Sequence, residues 1–277
     1  MHGNPSRRSL SWRLSIEQRP AGRDSLGRYR IATIRGESAG EKQRAVEAWG
    51  RQYDRHPDDK ATALGYATAL RAMAQNAQAA AVLQGLAIKY PRDTEVLGAY
   101  GKALADAGRL REAADVLPRA HTPDRPNWSI LSAQGSVADR LGDHEQARAY
   151  YAAALKIAPA QPYVLSNLGL SYALSNKLPQ AEKALQEASA QQGADSRVRQ
   201  NLSLVLALEG KFDSAEEVSR RDLNAKDAAA NVGAIRRMIA QSNSWKQIQA
   251  LDSKPASPAK ATAANRTAEN TTPRSAD

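Results

Sequence analysis

Apolar and small residues recur along the middle of the chain at spacings of three and four, which is the pattern of amphipathic helices. The segment 128–140 and the segment 145–157 form one example of two such stretches in succession. The apolar positions are Ile130, Leu131, Ala138 and Leu141 in the first and Ala147, Tyr150, Tyr151, Ala154 and Leu155 in the second. The pattern predicts two helices with a short turn between them.

The same pattern returns every 34 residues, with no insertions across about five periods. One column holds only small residues, namely Ala67, Gly101, Gly135, Gly169 and Ser203. A second column consists of Ala79, Ala113, Ala147, Ala181 and Ala215, and a third contains Leu83, Leu117, Tyr151, Leu185 and Ser219. A repeat of this length indicates stacked supersecondary units, each too small to bury its apolar face alone.

Residues that typically end or begin helices recur with the same 34-residue period. The turn column is Ala74, Gly108, Gly142, Asn176 and Gly210, and prolines close the units at Pro57, Pro91 and Pro159, with Pro126 one residue late. Gly142 suits the left-handed end of one helix, and Asp143 suits the N-cap of the next. Pro179 fits the first turn of a helix, and the spacing of Asp213 and Glu216 predicts a capping box.

The small columns predict close helix crossings, because glycine and alanine let two backbones approach. We expect Tyr151 to fill the space beside Gly135 and Ala147. Replacing Ala147 with leucine should overpack this crossing and cost about 1–3 kcal/mol of stability.

The composition argues against several classes of function. The chain contains no cysteine and only four scattered histidines, so neither thiol chemistry nor a metal site is predicted. Half of the net charge of +10 lies at the N terminus, where residues 1–40 hold eight arginines and three acidic residues. We interpret 1–40 as a disordered Arg-rich arm and 252–277, rich in Pro, Ser, Thr and Ala, as a disordered tail.

Catalytic motifs are missing from the sequence. It has no phosphate-binding glycine loop, no dinucleotide-binding fingerprint and no nucleophile elbow. Neighbouring acidic pairs such as Glu216–Glu217 do not share a helical face, and we interpret Asp106, Asp139 and Asp143 as caps or surface charges. Trp49 and Trp245 lie near the ends of the repeat region, where we expect packing rather than ligand stacking. We therefore expect no enzyme activity, cofactor or metal.

The repeat resembles the tetratricopeptide repeat (TPR). The third unit carries the residues on which the resemblance rests, which are Gly135, Ala147, Tyr151, Ala154 and Pro159. The resemblance implies an all-α TPR solenoid, a right-handed superhelix of antiparallel helix pairs. It would span 41–251, with a half repeat at 41–59, five repeats starting at Lys60, Thr94, Trp128, Pro162 and Ser196, and a capping helix region at 230–251.

The layout is also similar to the TPR protein of the bacterial tight-adherence (Tad, Flp-type) pilus assembly system. The similarity rests on the number of repeats, the segment NLGLSYALSNKLPQAEKAL and the NV…RRM…Q…SWKQI ending. It implies a pilus or secretion assembly factor with protein partners in the cell envelope. The sequence carries no signal peptide, lipidation cysteine or transmembrane segment. A cytoplasmic location is therefore the expectation for the sequence as written.

In TPR proteins the concave face is formed mainly by the first helix of each repeat. The residues that the resemblance assigns to partner binding here are Ser132, Ser136, Asp139, Tyr163, Ser166, Asn167, Leu170, Leu174, Arg197, Gln200, Asn201 and Leu204. The face is expected to be charged in the early repeats, where Lys102 and Asp106 lie, and more apolar in the late ones. Leu170, Leu174 and Leu204 either receive a peptide or only pack between repeats. Asn167 and Asn201 match the asparagines of a carboxylate clamp, but the companion lysines are missing.

Two other functions remain open. The chain could be a generic cytoplasmic TPR adaptor. Alternatively, its arginine-rich arm could bind a nucleic acid or an envelope polymer, although the body of the chain lacks the basic stripe with interleaved aromatic residues that nucleic-acid binding favours.

Overall fold

The structure is a computed structural model that describes the backbone of residues 39–252 and the side chains as far as residue 241. The predicted arm and tail lie outside the described residues, apart from Ala39, Gly40 and Asp252. The helices are α1 (Ala39–Arg55), α2 (Lys60–Ala72), α3 (Asn76–Lys89), α4 (Thr94–Asp106), α5 (Leu110–Val116), α6 (Trp128–Leu141), α7 (His144–Ile157), α8 (Pro162–Leu174), α9 (Leu178–Ala190), α10 (Ser196–Leu208), α11 (Phe212–Ser219) and α12 (Ala225–Asp252).

The helices from α2 to α11 form five successive pairs, and the all-α prediction is confirmed. We call α2, α4, α6, α8 and α10 the A helices and α3, α5, α7, α9 and α11 the B helices. The five A helices begin at Lys60, Thr94, Trp128, Pro162 and Ser196, which are the first residues of the five sequence repeats. The two helices expected at 128–140 and 145–157 correspond to α6 and α7.

The turn between the helices of each pair is left-handed at one residue. Its φ angle is 58° at Ala74, 82° at Gly108, 92° at Gly142, 56° at Asn176 and 80° at Gly210. These residues form the turn column of the sequence, so that part of the prediction is confirmed. Asp143 caps α7 as expected, because its carboxylate accepts a 3.0 Å hydrogen bond from the backbone of Gln146.

The small columns lie where the two helices of a pair cross. A Cβ atom added at Gly135 would be 2.5 Å from Cε1 of Tyr151. At Gly101 and Gly169 the added atom would meet Leu117 and Leu185 at 2.6 Å in the same way. Ala147 is completely buried. The interpretation of Tyr151 as the side chain that fills this crossing is confirmed.

The predictions for the first turns of α11 and α9 have different outcomes. The capping box at Asp213 and Glu216 is wrong, because it would place Asp213 at the N-cap, whereas α11 begins at Phe212 with Lys211 at the N-cap position. Asp213 lies instead inside the first turn, where a negative charge still interacts favourably with the helix dipole. Pro179 does lie in the first turn of α9, as expected.

The second pair departs from the regular pattern after α5. Pro118 lies in a 3₁₀ turn, Leu117–Ala120, that follows α5 directly. The next residues, 121–127, form a loop whose tip is closed by a 3.0 Å hydrogen bond from the backbone N–H of Arg125 to the carbonyl of Thr122. Leu117 and Ala120 remain buried, so the core column continues although the helix does not.

At the N-terminal end, α1 packs on α2 as a B helix without its A helix. Trp49 lies so close to α2 that a Cβ atom at Gly65 would be 2.7 Å from Cη2 of its ring. This contact confirms the packing role expected for Trp49. The side chain of Trp245 is not among the described ones.

The chain divides into two compact units, 1–236 and 237–277. In the first unit, the early part of α12 closes the array, since buried Val232 and half-buried Ile235 join the apolar cluster of α9, α10 and α11. Of the second unit, the structure describes only the remainder of α12, to Asp252.

Candidate partner-binding surface

The A helices lie on the inner side of the array. Each A helix contacts the A helix of the next pair, from α2 to α10. Within residues 39–252, no B helix comes equally close to the B helix of the next pair. Because the A helices are closer together than the B helices, the array bends toward the A helices, as in other solenoids with a concave binding face.

The structure divides the twelve residues assigned to this face into two groups. The buried group consists of Ser132, Ser136, Asp139, Ser166, Asn167 and Leu204. The group with accessible surface consists of Tyr163, Leu170, Leu174, Arg197, Gln200 and Asn201. Helix α6 is the most enclosed A helix, since every residue from Ser129 to Asp139 is buried. Residues of the second group are therefore the ones that a partner could reach.

Asn167 and Asn201 link neighbouring A helices. The side-chain amide of Asn167 donates to Oγ of Ser132 over 3.5 Å, and that of Asn201 donates to Oγ of Ser166 over 3.0 Å. The two contacts are equivalent positions one repeat apart. They give both asparagines a role in stacking the repeats, so no carboxylate clamp is needed to account for them.

Asp139 is neither a cap nor a surface charge, so the interpretation drawn from the sequence is wrong. Its carboxylate is fully buried and accepts hydrogen bonds from the hydroxyls of Tyr151 (3.0 Å) and Ser171 (2.7 Å). Nδ1 of His144 lies 2.9 Å from the same carboxylate. Burial, reinforced by the Asp139 charge, raises the pKa of Tyr151 well above its usual value. Tyr151 therefore keeps its proton and can donate it, and Asp139 joins α6, α7 and α8.

Tyr163 and Arg197 lie together near the N-terminal ends of α8 and α10. The guanidinium group of Arg197 lies 5.9 Å from the centre of the Tyr163 ring. It also pairs with the carboxylate of Asp195 at 3.3 Å, the residue that caps α10. The structure thus brings these two predicted residues together as parts of one inter-repeat contact.

Leu174 and Leu208 provide accessible apolar surface on the predicted face and beside it. They occupy equivalent positions one repeat apart, and their side chains are 52% and 37% exposed. In α6 the same position is Arg140, whose guanidinium group reaches the carbonyl oxygen of Ala105 on α4. This position therefore faces the surface formed by neighbouring A helices. We call Leu174 and Leu208 the leucine pair. Leu208 lies 34 residues after Leu174, so the repeat assigns both leucines to the same face.

The earlier repeats carry charges on the same surface, as the sequence predicted. Asp106 accepts from Nε of Arg71 at 2.8 Å, and Nζ of Lys102 donates to Oγ of Ser129 at 2.9 Å. Burial, together with the nearby Arg71, lowers the pKa of Lys102 to about 7, although Asp106 partly opposes the shift. Arg71 was missed by the sequence analysis. The signal that could have found it is the spacing of 35 residues between two opposite charges on successive A helices.

Two kinds of site are not found in the described part of the chain. None of the helices there is long and apolar enough to cross a membrane. The same residues contain no cluster of three side chains suited to hold a metal ion.

Five stacked antiparallel helix pairs, bent toward their first helices, define a helical-repeat solenoid. A family model of the tetratricopeptide repeat matches residues 140–208, which include α7, α8, α9 and α10. The fold is thus a TPR solenoid, and the fold expected from the sequence is confirmed. No curated protein matches the sequence of this chain.

Solved structures share the fold at low sequence identity. A chain of the APC/C hetero-tetramer Cut9–Hcn1 is similar over 74% of this chain and 40% of its own length, with 16% identity and a TM-score of 0.59. PilW, described as a widely conserved type IV pilus biogenesis factor, is similar over 66% of this chain and 84% of its own, with 17% identity and a TM-score of 0.57. Human IFIT1, solved as a dimer with m7Gppp-AAAA, has 14% identity and a TM-score of 0.57, over 66% of this chain and 46% of its own. This chain spans less than half of the Cut9–Hcn1 and IFIT1 chains.

Proposed function

We propose that this chain is a non-enzymatic scaffold that binds a protein partner on the inner face of its TPR array. The observation that carries the proposal is the leucine pair, because two large apolar side chains stay exposed at equivalent positions on adjacent A helices. Exposed apolar surface on a groove commonly receives an apolar side chain of a bound peptide. Leu170 is accessible on the same face and extends this surface.

A pull-down with the leucine pair changed tests this proposal. Leu174→Glu combined with Leu208→Glu should abolish recovery of the partner, because two carboxylates would have to be desolvated at the contact. Leu204 is a poorer choice for such a test, since it is buried and its replacement would affect folding. Ile88→Glu is the matched control, because Ile88 is 76% exposed but lies on the B helix α3. Equal partner recovery by the double variant would contradict the proposal.

We further propose that the partner belongs to a bacterial pilus or secretion assembly, of the Flp type that the repeat layout resembles. The similarity to the pilus biogenesis factor PilW supports this role at the level of the fold. Deletion of the gene in its own bacterium should reduce surface pili, and the wild-type gene should restore them. The leucine-pair variant should fail to restore them. Normal piliation in the deletion strain would contradict the pilus role and leave the scaffold proposal intact.

A further inference from the structure

The inner face changes chemical character from one A helix to the next. At the position of Leu174 and Leu208, α6 carries Arg140 and α4 carries Asp106. One helical turn earlier, α8 and α10 have leucines, whereas α4 has Lys102. The apolar surface of the leucine pair therefore borders directly on a charged surface.

This charged surface contains more positive than negative groups. Two arginines contact the C-terminal end of α4, namely Arg71 and Arg140, and we call them the cationic cluster. Lys102 of α4 adds only part of a charge at neutral pH, because burial lowers its pKa to about 7. Arg71 pairs with the carboxylate of Asp106 at 2.7 Å. The guanidinium group of Arg140 donates to the backbone carbonyl of Ala105, the residue before Asp106. The other carboxylate nearby, Asp139, is fully buried and bound to Tyr151 and Ser171. Within the described residues, the one accessible carboxylate on this surface, Asp106, thus faces two permanently charged side chains, Arg71 and Arg140.

The N-terminal arm does not complement this surface. Residues 1–38 contain eight arginines and three acidic residues, so they would bring positive charge to a positive surface. A partner with an acidic side chain is favoured instead. The adjoining leucine pair requires apolar side chains in the same partner segment.

We propose that the inner face binds an extended peptide with one carboxylate side chain at the cationic cluster and two apolar side chains at the leucine pair. This inference rests on the proposed function and adds the chemistry of the bound segment. The arginines select the carboxylate by charge, and the leucines supply the buried apolar contact.

The spacing of the helices sets the spacing of the peptide. Helices in contact lie about 8–10 Å apart, and an extended chain advances about 3.3–3.6 Å per residue. One repeat therefore corresponds to about three residues of peptide. In the peptide, the acidic residue that binds at α6 should be about three positions from the apolar residue that binds at α8. It should be about six positions, in the same direction, from the apolar residue that binds at α10. A bound helix, which advances about 1.5 Å per residue, would require roughly twice these intervals.

Selection from a random 12-residue peptide library on the intact 277-residue chain tests the proposal. The enriched sequences should contain Asp or Glu, then two apolar residues at intervals of about three, in one of the two directions. The most enriched peptide would be synthesised with a fluorescent label, together with a version in which its acidic residue is replaced by the corresponding amide. Binding to both would be measured by fluorescence anisotropy.

Protein variants separate the contributions of the two surfaces. Arg140→Gln should weaken binding of the acidic peptide by about two- to fivefold, as expected for an exposed charge pair. It should not affect the amide version. Arg111→Gln, at an exposed arginine on the B helix α5, is the matched control and should change neither affinity. Leu174→Glu with Leu208→Glu should weaken both peptides by more than about tenfold.

Each of the other possible results would contradict a specific part of the proposal. The Arg140→Gln variant could bind the acidic peptide as tightly as the wild-type chain does, and the wild-type chain could bind the amide peptide equally tightly. In that case the carboxylate preference is wrong and the proposed function still stands. If the leucine-pair variant binds normally, the proposed function itself fails. Selection of peptides with an apolar spacing of six or seven residues would overturn the extended conformation. A library that yields no binding peptide would overturn peptide recognition altogether.

Discussion

The hydroxyl of Tyr151 donates a 3.0 Å hydrogen bond to the buried carboxylate of Asp139, and this contact ties α7 to α6 in the centre of the array. Ser171 of α8 donates to the same carboxylate, so the contact also connects the third and fourth repeats. A buried carboxylate is tolerated only when hydrogen bonds replace its lost hydration. The stability of the central repeats should therefore depend on each donor.

Tyr151→Phe removes one donor from Asp139 and leaves the aromatic ring in place beside Gly135. We expect a loss of about 1–3 kcal/mol in the free energy of unfolding, because the carboxylate stays buried with fewer partners. Urea unfolding followed by circular dichroism measures the change. Tyr150→Phe is the control, since the described residues provide no hydrogen-bond partner for the hydroxyl of Tyr150. Equal unfolding midpoints for the two variants would contradict the role of Asp139.

Gly135→Ala should destabilise the third repeat by about 1–3 kcal/mol. The new methyl group would lie 2.5 Å from the Tyr151 ring, and both helices would have to separate. Gly85→Ala on α3 is the matched control, because a Cβ atom there has no neighbour within 4 Å. That change should stabilise the chain by about 0.5–1 kcal/mol through helix propensity. Opposite shifts in thermal unfolding would support this assignment of the crossing, and a neutral Gly135→Ala would contradict it.

The periodic features of the fold could be predicted from the sequence, and the particular environment of Asp139 could not. Glycine and alanine columns depend on the distance between helix backbones, which recurs in every repeat and therefore appears as a period. The burial of Asp139 depends on Tyr151, His144 and Ser171, which come together where the third and fourth repeats meet. No column signals such a contact. Arg140, the residue after Asp139, is exposed, so the position in the helix alone does not predict which of these two residues is buried.

The partner-binding face shows the same division. Leu174 was assigned to it by repeat position, and the structure leaves its side chain half exposed. Ser132 and Ser136 were assigned by the same rule, but they are small side chains on α6, the A helix that contacts both α4 and α8, and they are buried. Accessibility depends on side-chain length in the adjacent repeats, which a position within one repeat does not specify.

Ala74→Gly should stabilise the chain by up to about 1 kcal/mol. Ala74 occupies the left-handed turn position with φ at 58°, a conformation that costs a residue with a Cβ atom about 1–2 kcal/mol. Glycine avoids this cost but loses more backbone entropy on folding, which offsets part of the gain. Ala72→Gly, at the last residue of α2, should instead lower stability. Thermal unfolding of the two variants should therefore shift in opposite directions, and a loss of stability in Ala74→Gly would contradict the argument.

Lys102 should make stability depend on pH. Its pKa is about 7 in the folded chain against 10.5 for an ordinary lysine, chiefly because the amine is buried. Between these values the unfolded state binds more protons, so the free energy of unfolding rises as the pH increases from about 7 toward 10.5. Below about pH 7 the folded state carries the buried charge and its full cost.

Lys102→Met removes this cost, so it should raise the urea midpoint most at about pH 6 and progressively less toward pH 10. The loss of the hydrogen bond to Ser129 should lower stability at every pH and therefore does not change the slope. Lys183→Met, at an exposed position on α9, is the matched control and should shift the midpoint equally at both pH values. A gain from Lys102→Met that grew with pH would show that the folded chain favours the charged amine, and the assignment of burial as the dominant cause would be wrong.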